Sequence, residues 1–281
     1  TTATRTTTAT RTTTATRTIA ATTTATRLTT FMPVVVEVTG PRLYCYMLML
    51  TSGEEKWLVR MQYARGLGAF ACDSYSIFSS DPFWLGEGPA GQGDEVTTAI
   101  GEVAAYMAPV PGQSQKVWHN TAPFLEAWKA LAAEGKFRRS KADFLVKMDP
   151  DTVFLPARLR SKLRGRVDSA ASTYFRNCAR WGSLQGSLEV ITYAAAERFF
   201  AGLDSCKAAL AWNDWGEDWF VDHCLAFLGV GTSTAYDLLD DRWCDGRDVS
   251  CTGDSAAFHP FKTQKAYLRC MAELLSGQLS D

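Results

Sequence analysis

The sequence predicts an α/β fold in which a mixed, mostly parallel sheet is flanked by helices. An apolar run at 43–50 is typical of a strand that is buried on both faces. A helical stretch at 54–66 follows, and Gly66 and Gly68 separate it from a second predicted strand at 69–78. A strand, a helix and a strand within about forty residues indicate a βαβ unit, whose strands must pair in parallel.

The later elements continue this alternation of helices and strands. The pattern predicts an amphipathic helix at 116–135, then a strand that ends at Asp149, then a basic segment at 155–163. A solvated helical face is the favoured interpretation of that basic segment, and a phosphate contact is the other. The remaining predicted elements are a strand at 188–192 and helices at 194–203 and 219–228.

Length and charge limit the classes of function. The chain has 281 residues with 46% hydrophobic content, and we predict one folded domain at 42–281. Its net charge is −1, and the first thirty residues carry four Arg and no acid, so the remainder has a net charge of −5. Such a balance provides no basic surface for nucleic acid, and we predict no nucleic-acid partner.

The first part of the chain, 1–41, is a low-complexity segment rich in Thr and Arg. Arg5, Arg11 and Arg17 mark a six-residue repeat that cannot bury a core, so the segment is predicted to be disordered. A stalk and a linker without function are both compatible with it. Because the chain starts at Thr and contains no run of about 20 apolar residues, we expect any membrane anchor or signal segment to lie upstream.

Eight cysteines favour an oxidising compartment, which we take to be the Golgi or another part of the secretory lumen. They lie at 45, 72, 178, 206, 224, 244, 251 and 270. Since no Cys-x-x-Cys spacing occurs, a zinc site has little support, and the sequence does not determine how the cysteines pair.

The most informative motif is Asp149-Pro150-Asp151, at the end of an apolar run. If the backbone stays extended, the two carboxylates share one face and form an oxygen-rich site for Mn²⁺ or Mg²⁺. The same tripeptide is also favourable for a type I turn. Buried-strand patterns on both sides favour the metal site, because open α/β sheets bind ligands at the carboxyl ends of their strands.

Two later positions carry candidate chemistry. Glu217 and Asp218 precede an apolar helical run, so they fall in the first turn of a helix, where the ionised carboxylate is favoured. Such a carboxylate can act as a general base, or it can simply cap the helix. His259, framed by aromatic residues and Pro260, can complete an oxygen-rich metal shell, although a lone histidine is more often a packing residue.

The order of these motifs resembles that of the fringe-like and β-1,3-galactosyltransferase-like inverting glycosyltransferases, which have the GT-A variant of the Rossmann-type fold. The resemblance covers roughly 42–270 and concerns motif order and spacing. It implies that Asp149, Asp151 and His259 bind Mn²⁺, and through it the diphosphate of a UDP-sugar. It also implies that Asp218 is the catalytic base, with Glu217 beside it.

The resemblance adds two donor contacts and a reaction. Gly186 falls in a loose counterpart of the glycine-rich segment of the family, and Asp73 falls where such folds receive the uridine and ribose. The implied reaction moves a hexose or N-acetylhexosamine from the UDP-sugar to a hydroxyl of a glycan or glycoprotein acceptor.

This chain departs from the pattern of the family at two positions. Pro150 replaces a third acid, and Asp222 replaces a glycine four residues after the catalytic acid. Three alternatives stay open: a catalytically inactive relative that binds a nucleotide-sugar or glycan, a metal-dependent hydrolase, and a retaining transferase of the same fold.

Overall fold

The computed structural model describes residues 40–89, 92–109, 116–166 and 168–277, and a seven-stranded sheet runs through this part of the chain. The strands are β1 (Leu43–Met49), β2 (Ser74–Ser79), β3 (Trp84–Glu87), β4 (Asp94–Val96), β5 (Thr98–Ala99), β6 (Tyr106–Pro109), β7 (Lys116–His119), β8 (Phe144–Met148), β9 (Val153–Phe154), β10 (Thr173–Arg176), β11 (Leu188–Thr192), β12 (Gly231–Thr234), β13 (Leu239–Asp241) and β14 (Ala257–His259). The helices are α1 (Glu55–Arg65), α2 (Thr121–Glu134), α3 (Lys136–Ser140), α4 (Pro156–Leu163), α5 (Tyr193–Ala209), α6 (Glu217–Phe227), α7 (Arg242–Asp245) and α8 (Gln264–Gly277).

The large sheet confirms the predicted fold class. Its strand order is β12-β10-β11-β8-β1-β2-β5. All neighbouring pairs are parallel except those of β11, which runs antiparallel to both β8 and β10. Six strands therefore point the same way, and their carboxyl ends meet at one edge of the sheet. Asp149 follows β8 directly, so it lies at this edge.

The central strand β1 is buried along its whole length. Both faces of the sheet are therefore covered by other parts of the protein. Tyr44, Tyr46 and Leu48 point to the face covered by α2, α5 and α6. The alternate residues of the strand point to the opposite face, where α1 and α4 pack. Successive side chains of a strand point to opposite faces of the sheet, so a strand that is covered on both faces has to be apolar at nearly every position.

A second, three-stranded sheet with the order β13-β14-β9 determines where the late histidine lies. β9 begins two residues after Asp151 and pairs antiparallel with β14, so that Val153 lies opposite Phe258. β13 pairs in parallel with β14, so that Asp241 lies opposite His259. The small sheet therefore brings the end of β14 to the same edge as the acid pair.

Three predicted elements have different bounds in the structure. The strand predicted at 69–78 starts only at Ser74, because Gly68–Ala71 form a short 3-10 helix. The helix predicted at 116–135 begins as strand β7, which pairs with β6 before α2 starts at Thr121. The helix predicted to end at Gly202 continues to Ala209.

Gly202 does not end α5 because its role is close packing. A Cβ atom at this position would lie 2.3 Å from a methyl carbon of Leu228, which follows α6. The missing side chain therefore lets the end of α6 approach the middle of α5. Helix α6 itself starts where the sequence predicts, with Glu217 and Asp218 in its first turn.

All eight cysteines form disulfides: Cys45–Cys72, Cys178–Cys244, Cys206–Cys224 and Cys251–Cys270. Disulfides persist in oxidising compartments, and the compartment itself stays a prediction. Cys206 lies on α5 and Cys224 on α6, and both are fully buried. This bond therefore joins the helix that follows β11 to the helix that carries the predicted base.

Replacing both Cys206 and Cys224 with Ala is expected to lower the free energy of unfolding by about 3 kcal/mol, because the bond closes a loop of 18 residues. Urea denaturation followed by tryptophan fluorescence measures this loss. The pair Cys251 and Cys270, separated by 19 residues, is a matched control that should cost about the same when replaced by Ala. A loss below about 1 kcal/mol for both pairs would contradict the loop-closure argument.

The Thr- and Arg-rich segment was predicted at 1–41, and residues 1–39 lie outside the part of the chain that the structure describes. Its disorder and the domain boundary therefore stay predictions. Among the described helices, none has the length and apolar character needed to span a bilayer.

Candidate metal centre and active site

The acid pair lies in a β-turn directly after β8. The backbone N–H of Thr152 donates to the carbonyl of Asp149 at 3.0 Å, so the backbone does not stay extended between Asp149 and Asp151. The extended geometry is wrong here because Pro150 occupies the second position of the turn, where its fixed φ is favourable. The side chain of Gln62, on α1, donates to the carbonyl of Pro150 at 2.7 Å and holds the turn in place.

Within this turn the carboxylates still converge with the imidazole of His259. Asp149, Asp151 and His259 each offer one ligand atom, and these atoms all lie within 4.8 Å of one another. The turn and the convergence, which the sequence left as alternatives, therefore occur together. Two carboxylates and one imidazole fit the ligand preferences of Mn²⁺, so the side chains present are suited to hold such an ion.

His259 lies between two carboxylates. Its Nε2 lies 3.4 Å from Asp151 Oδ1, and its Nδ1 lies 2.6 Å from Asp241 Oδ2, which also accepts from the Ser187 hydroxyl at 2.8 Å. Burial disfavours the charged ring, but the hydrogen bonds to Asp151 and Asp241 outweigh it and raise the pKa of His259 to about 10. A metal ion would replace the proton on Nε2, while Asp241 would keep the ring oriented through Nδ1.

Lys147 lies at this site, although the sequence analysis did not predict a role for it. Its ammonium group is fully buried and lies 2.7 Å from Asp149 Oδ1, 2.6 Å from the carbonyl oxygen of Gly186, and in contact with Glu217 Oε1. It also lies 4.7 Å from the ring centroid of Phe124. Burial alone would lower the pKa of Lys147, but the charges of Asp149 and Glu217 raise it well above its ordinary value. Lys147 is therefore a permanent cation at this site.

Glu189 lies directly opposite Lys147 in the pairing of β11 with β8. It is buried, and its Oε1 and the Oε2 of Glu217 form no hydrogen bond with any described atom. Burial, followed by the charge of Glu217, raises the pKa of Glu189 well above its ordinary value. This direction favours the neutral carboxyl group of Glu189.

Asp218 lies beside this cluster in the first turn of α6. Its Oδ2 accepts from the backbone N–H of Gly186 at 3.2 Å, and its Oδ1 accepts from the N–H of Trp219 at 2.8 Å. Burial, followed by the charge of Glu217, raises the pKa of Asp218 to about 7. The sequence predicted a helix start that favours the ionised form, and here burial and the neighbouring acid outweigh that effect.

Gly186 lies where the loop before β11 approaches α6 most closely. A Cβ atom at this position would lie 2.5 Å from Glu217 Oε1 and 3.2 Å from Asp218 Cβ. Its carbonyl oxygen accepts from Lys147, and its N–H donates to Asp218. The position therefore requires glycine for backbone access to both groups, and its predicted contact with a donor stays a prediction.

Asp73 is not brought together with the other predicted residues. It precedes β2, and its carboxylate accepts from the N–H of Leu43 and from Arg160 Nη2, both at 2.8 Å. Leu43 pairs with Phe144 at the start of β8, so Asp73 lies at the amino ends of the strands, roughly 16 Å from the level of Asp149. The structure therefore places Asp73 away from the other predicted residues, and its donor contact stays a prediction. Arg160 is buried in the ion pair, so α4 is not simply a solvated basic face.

Asp222, which stands where the resembled family has glycine, has a structural role. Its buried carboxylate accepts from the Tyr174 hydroxyl, from Arg176 Nη2 at 2.9 Å and from the N–H of Leu184 at 3.3 Å. These bonds join α6 to β10 and to the loop that leads to Gly186. The substitution therefore supports the geometry around Asp218 instead of disturbing it.

Two residues with exposed aromatic side chains, Trp118 and Trp219, are neighbours of Asp218 through the backbone. A Cβ atom on Gly216 would lie 3.1 Å from both Asp218 Oδ1 and the carbonyl oxygen of Trp118, so the ends of β7 and α6 meet here. The side chain of Trp118 is 57% exposed and that of Trp219 is 45% exposed. The ring of Trp219 also packs against His223 at 4.5 Å between centroids. This surface is suited to contact the apolar face of a ligand.

Sequence reasoning missed four charged residues of this site: Lys147, Glu189, Asp241 and Lys262. A signal was present for two of them, because Lys147 and Glu189 interrupt strands that are otherwise apolar, and charges are rarely buried unless paired. Lys262, whose Nζ lies 3.0 Å from Asp151 Oδ2, carries no such signal in its loop. A charged residue within an otherwise apolar strand is therefore the sequence signal that indicates Lys147 and Glu189.

No family model and no curated protein sequence matches this chain. Among solved structures, the chain is similar to a glycosyltransferase involved in the glycosylation of the major capsid of PBCV-1. The identity is 11%, the TM-score is 0.46, and the match covers 83% of this chain and 100% of the other. At this level of similarity the function has to be inferred from the side chains of the site itself.

Proposed function

We propose that this chain is a metal-dependent inverting glycosyltransferase that moves a hexose or N-acetylhexosamine from a UDP-sugar to a hydroxyl of a glycan or glycoprotein acceptor. One observation carries the proposal. Asp149, Asp151 and His259 converge at the carboxyl edge of the sheet, and a chain of direct contacts through Lys147 and Gly186 connects them to Asp218.

The roles of the residues follow from their contacts. A divalent ion held by Asp149, Asp151 and His259 would act as a Lewis acid and neutralise charge on the diphosphate leaving group. Asp218 accepts the proton of the acceptor hydroxyl, and a pKa of about 7 suits this task because it lies near the working pH. Glu217 is a positioning residue, since its carboxylate is held by the buried Lys147.

We further propose that the protein works in the secretory lumen. The four disulfides support this, because such bonds persist in oxidising compartments. The exposed side chains of Trp118 and Trp219, whose backbone lies near Asp218, support a sugar acceptor, since aromatic faces offer flat apolar surfaces.

A panel of nucleotide-sugars assayed for UDP release, with Mn²⁺ and with EDTA, tests the proposal. An active transferase releases UDP faster when an acceptor is added, and EDTA stops the reaction. A catalytically inactive relative would bind UDP with Mn²⁺ but release none from any donor. A hydrolase would release the sugar to water at the same rate without acceptor, and the anomeric configuration of the product separates inverting from retaining transfer.

Replacing Asp218 with Asn is expected to lower kcat by about 10²–10⁴-fold while UDP binding in the presence of Mn²⁺ is retained, because general-base catalysis contributes this factor. In the wild type, the base is active when deprotonated, so kcat/KM should rise with pH and level off above about 7. Steady-state kinetics between pH 5 and about 9 measures both effects.

Asp204 provides a matched control, since it is an exposed acid on α5, which packs on the same face of the sheet as α6, and it has no contact with the site residues. Asp204→Asn should leave the rate and its pH dependence unchanged. If Asp218→Asn retains the wild-type rate and the same rise with pH, Asp218 is not the base.

A further inference from the structure

A cavity of about 380 Å³ lined by arginines lies beside α7, outside the residues assigned above. Its lining consists of Arg180, Arg242, Trp243, Gly246, Arg247 and Asp248. The volume falls in the range of small-ligand sites, about 300–1,000 Å³. The carboxylates near the cavity are those of Asp248 and of the two acids that contact Arg247, so its affinity for an anion depends on whether the other two arginines are paired.

Two of the three arginines have no acidic partner in the part of the chain that the structure describes. Arg247 is partly neutralised, because its Nη2 lies 3.4 Å from Asp240 Oδ2 and 3.8 Å from Asp245 Oδ2. Arg180 and Arg242 form no ion pair with any described acid, and the guanidinium of Arg180 lies 4.9 Å from the ring centroid of Trp181. Both side chains are exposed and therefore free to receive a ligand.

The cavity is held in a fixed relation to the candidate metal residues. The Cys178–Cys244 disulfide joins the segment that precedes Arg180 to the helix that starts with Arg242. Asp241 lies directly before Arg242 and bonds in two directions: its Oδ1 accepts from the N–H of Trp243 at 2.7 Å, and its Oδ2 lies 2.6 Å from His259 Nδ1. The same aspartate thus contacts both α7 and His259.

We propose that this cavity binds an anionic group, a carboxylate, sulfate or phosphate, on the acceptor sugar. The assignment to the acceptor rests on the proposed function, whereas anion binding itself does not. Guanidinium groups match the geometry of these oxyanions and bind them through paired N–H donors. The indole of Trp243, which is 60% exposed, offers a flat apolar surface for the sugar ring that carries the anion.

A matched set of probes tests anion binding without any donor: glucose, glucuronic acid, glucose 6-sulfate and glucose 6-phosphate, which share one ring and differ at carbon 6. Ligand-observed NMR titration should show at least one charged probe binding about tenfold or more tightly than glucose, and the preferred probe identifies the anion. Binding should weaken as salt is raised, since exposed charges are screened.

The double variant Arg180→Ala with Arg242→Ala should lose this preference, while Arg65→Ala, which removes an exposed arginine of α1, should keep it. The thermal midpoint of each variant shows that the fold is retained. Equal binding of all four probes, or an equal loss in the Arg65→Ala control, overturns the proposal.

Two further measurements separate this inference from the proposed function. The double variant should bind UDP with Mn²⁺ as the wild type does and should show a raised KM only for an acidic acceptor. A loss of UDP binding instead would assign the cavity to the diphosphate of the donor and overturn the acceptor assignment. If no nucleotide-sugar is turned over yet the charged probes bind, the enzyme proposal fails while the anion site stands.

Discussion

Replacing Asp151 with Asn is expected to reduce turnover by about 10³-fold or more, because the variant loses a charged ligand from the predicted metal site. Lewis-acid stabilisation by a metal is worth several kcal/mol, and each 1.36 kcal/mol corresponds to about a factor of ten in rate. Asp151 is held by His259 and Lys262, and these cations lower the pKa of its carboxyl group below the usual range despite burial. It is therefore charged at every pH at which the protein would work.

The measurement is Mn²⁺ binding by calorimetry together with UDP release. Asp151→Asn should weaken both, whereas Asp254→Asn, which makes the same change of charge at a side chain that is 93% exposed, should weaken neither. The unfolding midpoint of Asp151→Asn shows whether the ion pairs with His259 and Lys262 were needed for folding. Unchanged Mn²⁺ affinity in a folded Asp151→Asn protein would remove the metal site from the mechanism.

Replacing Lys147 with Met is expected to lower the free energy of unfolding by about 3–5 kcal/mol, because this is the usual cost of removing one partner of a buried ion pair and leaving the other charged. The variant keeps an unbranched side chain of similar length, so the loss comes from the charge and not from a cavity. Glu217 and Asp149 would be left without their cation, and Glu217 is buried together with Glu189. Urea denaturation with a fluorescence readout gives the change directly.

Two companion variants separate charge from packing. Glu217→Gln in the Lys147→Met background should restore part of the lost stability, because it removes one of the uncompensated charges. Glu189→Gln should change stability by less than about 1 kcal/mol, since the raised pKa of Glu189 favours the neutral carboxyl group, and an amide of the same shape replaces it. If Lys147→Met is as stable as the wild type, the cluster does not depend on this cation.

The sequence predicted the fold class and the position of Asp149 because both follow from patterns that are local in the chain. The apolar run at 43–50 could only be a strand covered on both faces, and Asp149 followed such a run, so it had to lie at a sheet edge. Reaching His259 required more, since its position depends on the small sheet in which β14 pairs with β9. There the order of motifs in the resembled family supplied what periodicity could not.

The differences between sequence and structure have an equally physical cause. Asp73 lies away from the other predicted residues because the 3-10 helix before it delays the start of β2, which moves the residue to the amino ends of the strands. The partnership of Lys147 with Glu217 joins residues 70 positions apart and could not be read from spacing. Glu189 became informative only when the pairing of β11 with β8 placed it opposite Lys147.

The three contacts of Lys147 occupy every hydrogen that its ammonium group can donate: one for Asp149, one for the carbonyl of Gly186 and one for Glu217. An incoming substrate therefore meets no vacant N–H on this side chain. In the proposed reaction the lysine would act through its electric field alone, and its three contacts tie β8, the loop before β11 and α6 into one unit.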